Sequence, residues 1–310
     1  LMPFFVLTQG MPPVRTVRSD RGHLFIRRSP QQRQASGQPV YQLLLPTQTQ
    51  AQVPVLLLPG PGGFLQIGGI APAALGHVGK IGAKNAAAFD LSAGCSGFVY
   101  SLGVASQMVK SGLYKKALII GAETLSRIMN WEDRNTCVLF GDGAGAAVIG
   151  EVEEGLGVLG IDLGSDGSGG KYLFQPAGGS RKPASHETVD AKEHFIHMNG
   201  NEVFKFAIQI MGKTAKRALA KAGLEPGDVD LLVPHQANIR IINSAAKRLK
   251  MPMEKVWVNV DKYGNTSAAS IPIALCEAQE QGVLKKGGTV LLVGFGAGLT
   301  WSSIVLKWSK

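Results

Sequence analysis

A repeat within the chain limits the folds it can adopt more than any other feature of its sequence. Two segments share one order of features, namely a turn of small residues, an apolar helix, two lysines and an apolar strand with glycine near its end: LSAGCSGFVYSLGVASQMVKSGLYKKALIIGAE and DKYGNTSAASIPIALCEAQEQGVLKKGGTVLLVGFG. Such a duplication predicts two similar halves packed together. An offset of 170 residues aligns Cys95 with Asn265, so both are expected at matching helix starts that face one cavity.

Strands and helices alternate from about Ile81 to the end of the chain, which predicts an α/β protein. We predict a first half over residues 1–150 and a second over residues 151–310. The predicted strands are AAAFDL, KKALIIGAE, a pair in CVLFGDGAGAAVIGEV, DVDLLVPHQ, VWVNV and a C-terminal hairpin. The predicted helices are Cys95 to Lys110, NEVFKFAIQIMGKTAKRALAKAG, which ends at Gly223, and ANIRIINSAAKRLK.

The first 80 residues differ in composition from the rest. They are rich in Pro, Gln, Arg and Leu, and residues 1–89 hold eight Lys or Arg against a single acid, Asp20. Out-of-frame reading of a GC-rich gene gives this kind of composition. We therefore interpret residues 1–80 as sequence foreign to the protein, joined in frame near Ile81.

Charge and cysteine content exclude several classes of protein. The net charge is +10, but most of it lies in residues 1–89, so the bulk of the chain is nearly balanced and nucleic-acid binding is not expected. Three widely spaced cysteines provide neither a disulfide framework nor a C-x-x-C metal pair, which predicts a reducing, cytoplasmic location. No apolar run reaches the roughly 18–20 residues of a membrane span.

Three side chains carry the pattern of nucleophilic catalysis. Cys95 lies at a predicted helix start, where the helix dipole and backbone N–H groups favour a thiolate. A buried structural cysteine is the alternative. His235 follows a buried strand, and strand exits in α/β folds are where sites form; a hydrogen-bonded core histidine is its alternative. Asn265 has an ordinary turn residue as its alternative, and its match to Cys95 in the repeat is what favours a catalytic role.

Six blocks extend the pattern: DLSAGCSGF, FGDGAGAAVIG, MNGNEVFKFA, PHQANIRII, NVDKYGNTSAASIP and GFGAGLTW. Together, from about Ile81 onwards, they resemble the β-ketoacyl-[acyl-carrier-protein] synthase III family, the condensing enzymes that initiate bacterial fatty acid synthesis. The resemblance implies a thiolase-like, five-layered αβαβα fold built from two duplicated halves. It also implies an acyltransferase that condenses an acyl-coenzyme A primer with malonyl-acyl carrier protein, releasing carbon dioxide.

The resemblance also implies a role for each residue of the site. Cys95 matches the nucleophile that takes the acyl group, and His235 and Asn265 match the pair that acts on the malonyl thioester. The backbone N–H groups of Cys95 and Ala297 match the oxyanion hole. Residues matching coenzyme A or substrate contacts are Arg134, Gly200, Phe204, Ala237, Asn238 and Phe295. Residues matching contacts to the acidic carrier protein are Lys205, Gln236, Arg240, Lys247 and Arg248.

Partners and cofactors follow from the same resemblance. The expected partners are acyl-coenzyme A, malonyl-acyl carrier protein and a second copy of the chain in a homodimer; neither nucleic acid nor a membrane is expected. No metal or redox cofactor is implied. The tryptophan and arginine that hold the adenine ring in the family have no recognisable counterpart in residues 1–80.

Two other functions remain open from the residues. A related acyltransferase or polyketide-type synthase of the same fold would share the Cys, His and Asn set. An inactive acyl-carrier-binding protein would explain the unusual first third of the chain. A thiolase would need a second cysteine in GFGAGLTW, and a nucleotide site in FGDGAGAA would need a following crossover helix.

Overall fold

The computed structural model describes Ala83 and residues 86–310, together with the backbone of four short strands before them. The rest of residues 1–80 lies outside the described residues, and so does the interpretation of that segment as foreign sequence. Within the described part of the chain, no helix is long and apolar enough to cross a membrane.

The described part of the chain is a mixed α/β structure. Its strands are β1 (Pro3–Val6), β2 (Leu24–Phe25), β3 (Gln42–Leu43), β4 (Val53–Leu58), β5 (Ala87–Leu91), β6 (Lys116–Glu123), β7 (Gly143–Glu151), β8 (Gly157–Ser165), β9 (Leu173–Phe174), β10 (His197–Met198), β11 (Leu231–Pro234), β12 (Thr289–Gly296) and β13 (Thr300–Lys307). Its α-helices are α1 (Gly97–Lys110), α2 (His186–Asp190), α3 (Gly200–Lys221), α4 (Ile239–Arg248), α5 (Val260–Tyr263) and α6 (Ser270–Glu280).

Two larger sheets organise the structure. The first has the order β1-β7-β6-β4-β5 with antiparallel neighbours throughout. The second has the order β11-β12-β13-β8, in which β11 and β12 are parallel and the other pairs antiparallel. The first sheet ends in the chain at Glu151 and the second begins at Gly157, close to the predicted division between the halves.

Helices α1 and α6, which are the helices of the repeat, lie between the two sheets. The α1 helix packs on β6 and β7 of one sheet and on β12 and β13 of the other, while α6 packs on β7 and β11. Their apolar side chains share one core with both sheets, including Phe98, Leu102, Ile271 and Leu275. A helix that is apolar on all sides is one that a protein buries, which is why the repeat forms the centre of the molecule.

A second core covers the outer face of the second sheet. Helix α3 packs on β8, β12 and β13, and α4 packs on α3; Met211, Leu219, Ile242 and Phe295 belong to this core. The order of layers is therefore sheet, helices, sheet, helices, which is four of the five layers expected. The described helix α3 ends as predicted, with Gly223 in the left-handed region at φ +67°.

Two sequence-based strand predictions are wrong. Residues 137–139 of CVLF lie in turns and Phe140 forms only a single bridge, with Asn265. The Asp133 carboxylate accepts the Asn135 N–H and the Thr136 hydroxyl and folds the backbone back before them. VWVNV forms only a single bridge, between Val256 and Leu232. Both segments are apolar enough for strands, but hydrogen bonds to nearby polar side chains determine the path of their backbone.

Candidate active site

Cys95 lies at the start of the central helix, as predicted. A three-residue turn, Gly94–Ser96, leads directly into α1, and Gly94 has a φ of +55°, a conformation that glycine tolerates best. Only 8% of Cys95 is exposed. It lies at the wall of a cavity of about 440 Å³ whose other lining residues include Leu125, Ile128, Phe140 and Ser267.

Burial works against the activation expected from the helix N-terminus. It raises the pKa of Cys95 to about 12 from an ordinary 9.0, even though Ser267 hydrogen-bonds to the thiol. A rise of that size is equivalent to about 4 kcal/mol against the thiolate. The dipole at a helix N-terminus stabilises a negative charge such as the thiolate by at most about 2 kcal/mol. Burial therefore favours the protonated thiol over the thiolate.

Two glycines bring the backbone of Cys95 against the loop that holds Ala297. A Cβ atom on Gly296 would lie 2.6 Å from the Cys95 nitrogen, and one on Gly94 would lie 2.9 Å from the Ala297 nitrogen. Real Cβ contacts are never that short, so both positions need glycine. The two backbone N–H groups expected to form an oxyanion hole are consequently neighbours, and Cys95 and Ala297 line the same cavity.

His235 is fully buried directly after β11. Its Nδ1 atom lies 2.7 Å from the Ser270 hydroxyl oxygen, and its ring meets Phe295 edge-on at 5.5 Å between centroids. Its Nε2 atom is buried and has no hydrogen-bond partner among the described residues. Burial lowers the pKa of His235 to about 3, so the imidazole is neutral at physiological pH.

Asn265 is held by both its backbone and its side chain. Its N–H donates to the Leu139 carbonyl, its own carbonyl accepts the Gly141 N–H, and its Oδ1 accepts the Ser267 N–H at 2.9 Å. Gly264 before it has a φ of +66°. The matching glycine of the repeat, Gly94, also has a positive φ, +55°, so both turns of the repeat contain a backbone position that favours glycine.

The segment 265–270 connects the three residues predicted to be catalytic. Asn265 begins it, Ser267 hydrogen-bonds to the Cys95 thiol, and Ser270 contacts His235. The segment is held close to β6, since a Cβ atom on Gly121 would lie 2.5 Å from the Ala268 carbonyl oxygen. The structure thus brings residues 95, 235 and 265 together around one short loop.

Three polar residues of this site are not predicted by the sequence patterns. Ser267 and Ser270 belong to the small-residue turn that the repeat predicts before α6. Glu123, the last residue of β6, is 4% exposed and accepts the Ala268 N–H at 3.3 Å. Burial raises the pKa of Glu123 to about 8. An acid at the end of an apolar strand in the repeat was the signal that could have identified it.

One predicted carrier-protein contact is corrected by the structure. Gln236 is 1% exposed. Its amide donates to the Pro234 and Trp257 carbonyls and accepts the Asn259 N–H. A buried amide with these three partners cannot contact a docked protein; its role is to hold the chain on either side of His235.

Phe295 and Asn238 also have internal partners. Phe295 is 3% exposed and packs against His235, so it is placed to support the imidazole rather than to bind coenzyme A directly. Asn238 caps α4, because its Oδ1 accepts the Arg240 N–H at 2.8 Å. Ala237 beside it is partly exposed.

The remaining predicted binding residues are at least partly accessible. Gly200 begins α3, and Phe204 one turn later lies under the Arg240 guanidinium, 4.9 Å from it. Arg134 is exposed in a separate loop. The predicted carrier surface retains four exposed cations: Lys205, Arg240, Lys247 and Arg248. Lys205 is paired with Glu202 at 2.7 Å.

Comparison with known families gives two matches along the chain. The model described as 3-oxoacyl-[acyl-carrier-protein] synthase III matches residues 89–167. The model described as the C-terminal part of the same synthase matches residues 219–308. In the part of the chain that the structure describes, no group of three or more His, Cys, Asp or Glu side chains could hold a metal ion.

Curated relatives carry the same description. The chain is 63% identical over 231 residues to β-ketoacyl-[acyl-carrier-protein] synthase III of Caldanaerobacter subterraneus subsp. tengcongensis, covering 74% of this chain and 70% of the relative. It is 61% identical over 229 residues to the synthase of the same name from Clostridioides difficile, again covering 74% and 70%.

Solved structures agree with the fold. The 3-oxoacyl-[acyl-carrier-protein] synthase III of Aquifex aeolicus is 44% identical with a TM-score of 0.70, covering 77% of this chain and 73% of that one. The priming β-ketosynthase of the R1128 polyketide pathway is 35% identical with a TM-score of 0.70, covering 79% and 73%. The predicted α/β, thiolase-like fold is confirmed by this likeness.

Proposed function

Because this chain belongs to the β-ketoacyl-[acyl-carrier-protein] synthase III family, we propose that Cys95, His235 and Asn265 carry out the family's decarboxylative condensation here. Enzymes of this family are acyltransferases. The observation that carries the proposal is the segment 265–270, which begins with Asn265 and contacts both Cys95 and His235 through its serines.

The first step transfers the primer to Cys95. The sulfur attacks the carbonyl carbon of the acyl-coenzyme A thioester, the bond from that carbon to the coenzyme A sulfur breaks, and coenzyme A leaves with the proton of the thiol. The neighbouring N–H groups of Cys95 and Ala297 stabilise the oxyanion that forms. The cavity beside Cys95, lined largely by apolar side chains, receives the acyl group.

The second step needs donors aimed at a thioester carbonyl. Ser270 Oγ accepts the Gln236 N–H at 3.4 Å, which leaves its own hydrogen to donate to Nδ1 of His235. The neutral imidazole then carries its hydrogen on Nε2, the atom without a partner among the described residues. Asn265 uses Oδ1 on Ser267, so its NH₂ group is the donor that remains.

These two donors complete the condensation. They hydrogen-bond to the malonyl thioester oxygen, so that the electrons released with carbon dioxide form a stabilised enolate. The enolate carbon attacks the acyl carbonyl on Cys95, and the carbon–sulfur bond to Cys95 breaks. The product is 3-oxoacyl-carrier protein, and the thiol regains a proton from solvent.

Binding of the two substrates uses the accessible residues around the site. Arg134, Gly200, Phe204 and Ala237, with the Asn238 cap, are proposed to contact the coenzyme A or phosphopantetheine arm. Thiol, imidazole and amide groups perform both steps, so the reaction calls for no metal or redox cofactor. On the family resemblance, we propose a homodimer in the cytoplasm.

A product assay tests the function. The protein is incubated with acetyl-coenzyme A and malonyl-acyl carrier protein, and the carrier is examined by mass spectrometry. The expected result is 3-oxobutanoyl-carrier with release of carbon dioxide. Condensation with longer or branched primers in place of acetyl-coenzyme A would support the same reaction with a different primer preference. A carrier that binds but returns unchanged with every primer would favour an inactive carrier-binding protein and contradict the proposal.

Reversing charge on the carrier surface should weaken carrier use without affecting the primer. Changing Lys247 and Arg248 to Glu places two negative charges where an acidic protein is proposed to dock, and leaves Arg240 on Phe204 in place. We expect KM for malonyl-carrier to rise about tenfold at low salt, equivalent to about 1.4 kcal/mol, while acylation by acetyl-coenzyme A stays unchanged. Steady-state kinetics measure both quantities.

The matched control reverses Lys110 and Lys115, which are exposed at the end of α1 away from Cys95. It makes the same change in net charge. An equal rise in KM for both double variants would show that total charge matters rather than this surface, and would contradict the proposed docking site.

A further inference from the structure

Glu123 is a buried acid at the site that the proposed mechanism leaves without a role. It ends β6 and accepts the Ala268 N–H at 3.3 Å, and the Ser267 side chain beside it lowers its pKa. A buried carboxyl group is costly to ionise and is expected to have a reason to be there. Its partner Ser267 is the residue that also contacts Cys95.

Ser267 is fixed between two groups that compete for it. It is 3% exposed, and its φ of +48° is unusual for a residue with a side chain. Its N–H donates to Asn265 Oδ1, and its hydroxyl lies close enough to both the Cys95 thiol and the Glu123 carboxyl to lower the pKa of each. A serine hydroxyl has one hydrogen to donate, so it can donate to only one of them at a time.

From this arrangement we infer that Glu123 is a positioning residue for the attack by Cys95, acting through Ser267. A protonated Glu123 donates its own hydrogen to the Ser267 oxygen, and Ser267 then donates to the Cys95 sulfur and stabilises the thiolate. An ionised Glu123 instead takes the Ser267 hydrogen, and the sulfur loses its donor. The inference rests on the proposed role of Cys95 as nucleophile.

The surroundings of Glu123 keep it protonated at neutral pH. Burial is the largest cause of its raised pKa, and the Asp142 carboxylate just before β7 raises it further. Asp142 itself accepts the Ser126 N–H and hydroxyl. The titratable group that faces Glu123 from the turn before α1 is the Cys95 thiol. The segment 267–269 contributes the Ser267 hydroxyl and the Ala268 N–H. With a pKa of about 8, Glu123 ionises within a range that kinetics can cover.

Glu123→Gln provides the test, because glutamine is neutral at every pH and its NH₂ group can donate to Ser267 as the protonated acid does. We compare wild type and E123Q for acylation of Cys95 by acetyl-coenzyme A between pH 6.5 and 9.5. The ratio of the variant rate to the wild-type rate should be constant below about pH 7 and rise about tenfold between pH 7 and pH 9. This ratio cancels the pH dependence that both proteins share.

A Ser267→Ala background separates the relay from simple charge repulsion. Without the hydroxyl only the direct repulsion between ionised Glu123 and the Cys95 thiolate remains, so the rise of the ratio with pH should be much smaller than with Ser267 present. A ratio that stays constant with Ser267 present overturns the inference. So does a ratio that rises equally in both backgrounds, since Ser267 would then have no part in it.

Alkylation of Cys95 by iodoacetamide, located by peptide mass, supplies a second readout that needs no acyl transfer. The same ratios are expected, because alkylation also requires the thiolate. If alkylation follows the prediction but wild type takes up no acyl group, the proposed function fails and the inference about Glu123 stands. If E123Q does not fold, the Ser267→Ala variant alone provides the test: its Cys95 should react more slowly than that of wild type at pH 7 and at the same rate above pH 9. Equal reaction rates of the variant and wild type at both pH values would overturn the relay.

Discussion

Replacing Cys95 by alanine should abolish the acyl-enzyme and lower the rate of condensation by at least about 10³-fold. The reason is that the variant has no thiol for the primer to acylate, so the reaction loses its covalent intermediate. Decarboxylation of malonyl-carrier should continue at a reduced rate, because His235 and Asn265 remain in place. The measurements are intact-protein mass with acetyl-coenzyme A, and rates of 3-oxoacyl-carrier and carbon dioxide formation.

Cys137→Ala is the matched control for the loss of a thiol. Cys137 lies in the turn after Trp131, whose carbonyl its sulfur approaches at 3.9 Å, and it does not line the cavity. This variant should keep full acylation and condensation. An acyl adduct that survives in Cys95→Ala, or disappears in Cys137→Ala, would place the nucleophile elsewhere.

His235→Ala should have the complementary effect. Acylation of Cys95 should persist, while decarboxylation and condensation should fall about 10²–10³-fold, the usual cost of removing one donor from a developing oxyanion. Because burial lowers the pKa of His235 to about 3, the imidazole stays neutral from pH 5 to 8. The wild-type decarboxylation rate should therefore show no histidine titration in that range.

His186→Ala supplies the control, since His186 is exposed at the start of α2. It should leave all rates unchanged. A variant at position 235 that decarboxylates normally, or that has lost acylation to the same extent as condensation, would contradict the division of labour between Cys95 and His235.

The repeat allowed much of the fold to be predicted. Helices α1 and α6 and strands β6 and β12 form where the duplicated pattern placed them, and the matching glycines before Cys95 and Asn265 both have a positive φ. The spacing of apolar residues along the chain predicts well which whole helices and strands are buried. It failed for CVLF and VWVNV, where individual side chains of Asp133 and Gln236 determine the path of the backbone.

The polar network of the site could not be predicted in the same way. Glu123 and Ser267 are 144 residues apart in the chain, and only packing of β6 on the segment 267–269 brings them into contact. The family resemblance predicts Gln236 as a contact to the carrier protein, yet its amide is hydrogen-bonded to three backbone groups. The burial of Cys95, which raises the pKa of its thiol and opposes the helix N-terminus, is likewise a product of tertiary packing.

The measurement that tests the account most directly is the intact mass of the protein after acetyl-coenzyme A and again after malonyl-carrier is added, with longer primers run alongside. The account predicts one added acyl group on Cys95, absent in Cys95→Ala, which disappears as 3-oxoacyl-carrier forms. No adduct with any primer, or an adduct on Cys95 that malonyl-carrier leaves untouched, would contradict it.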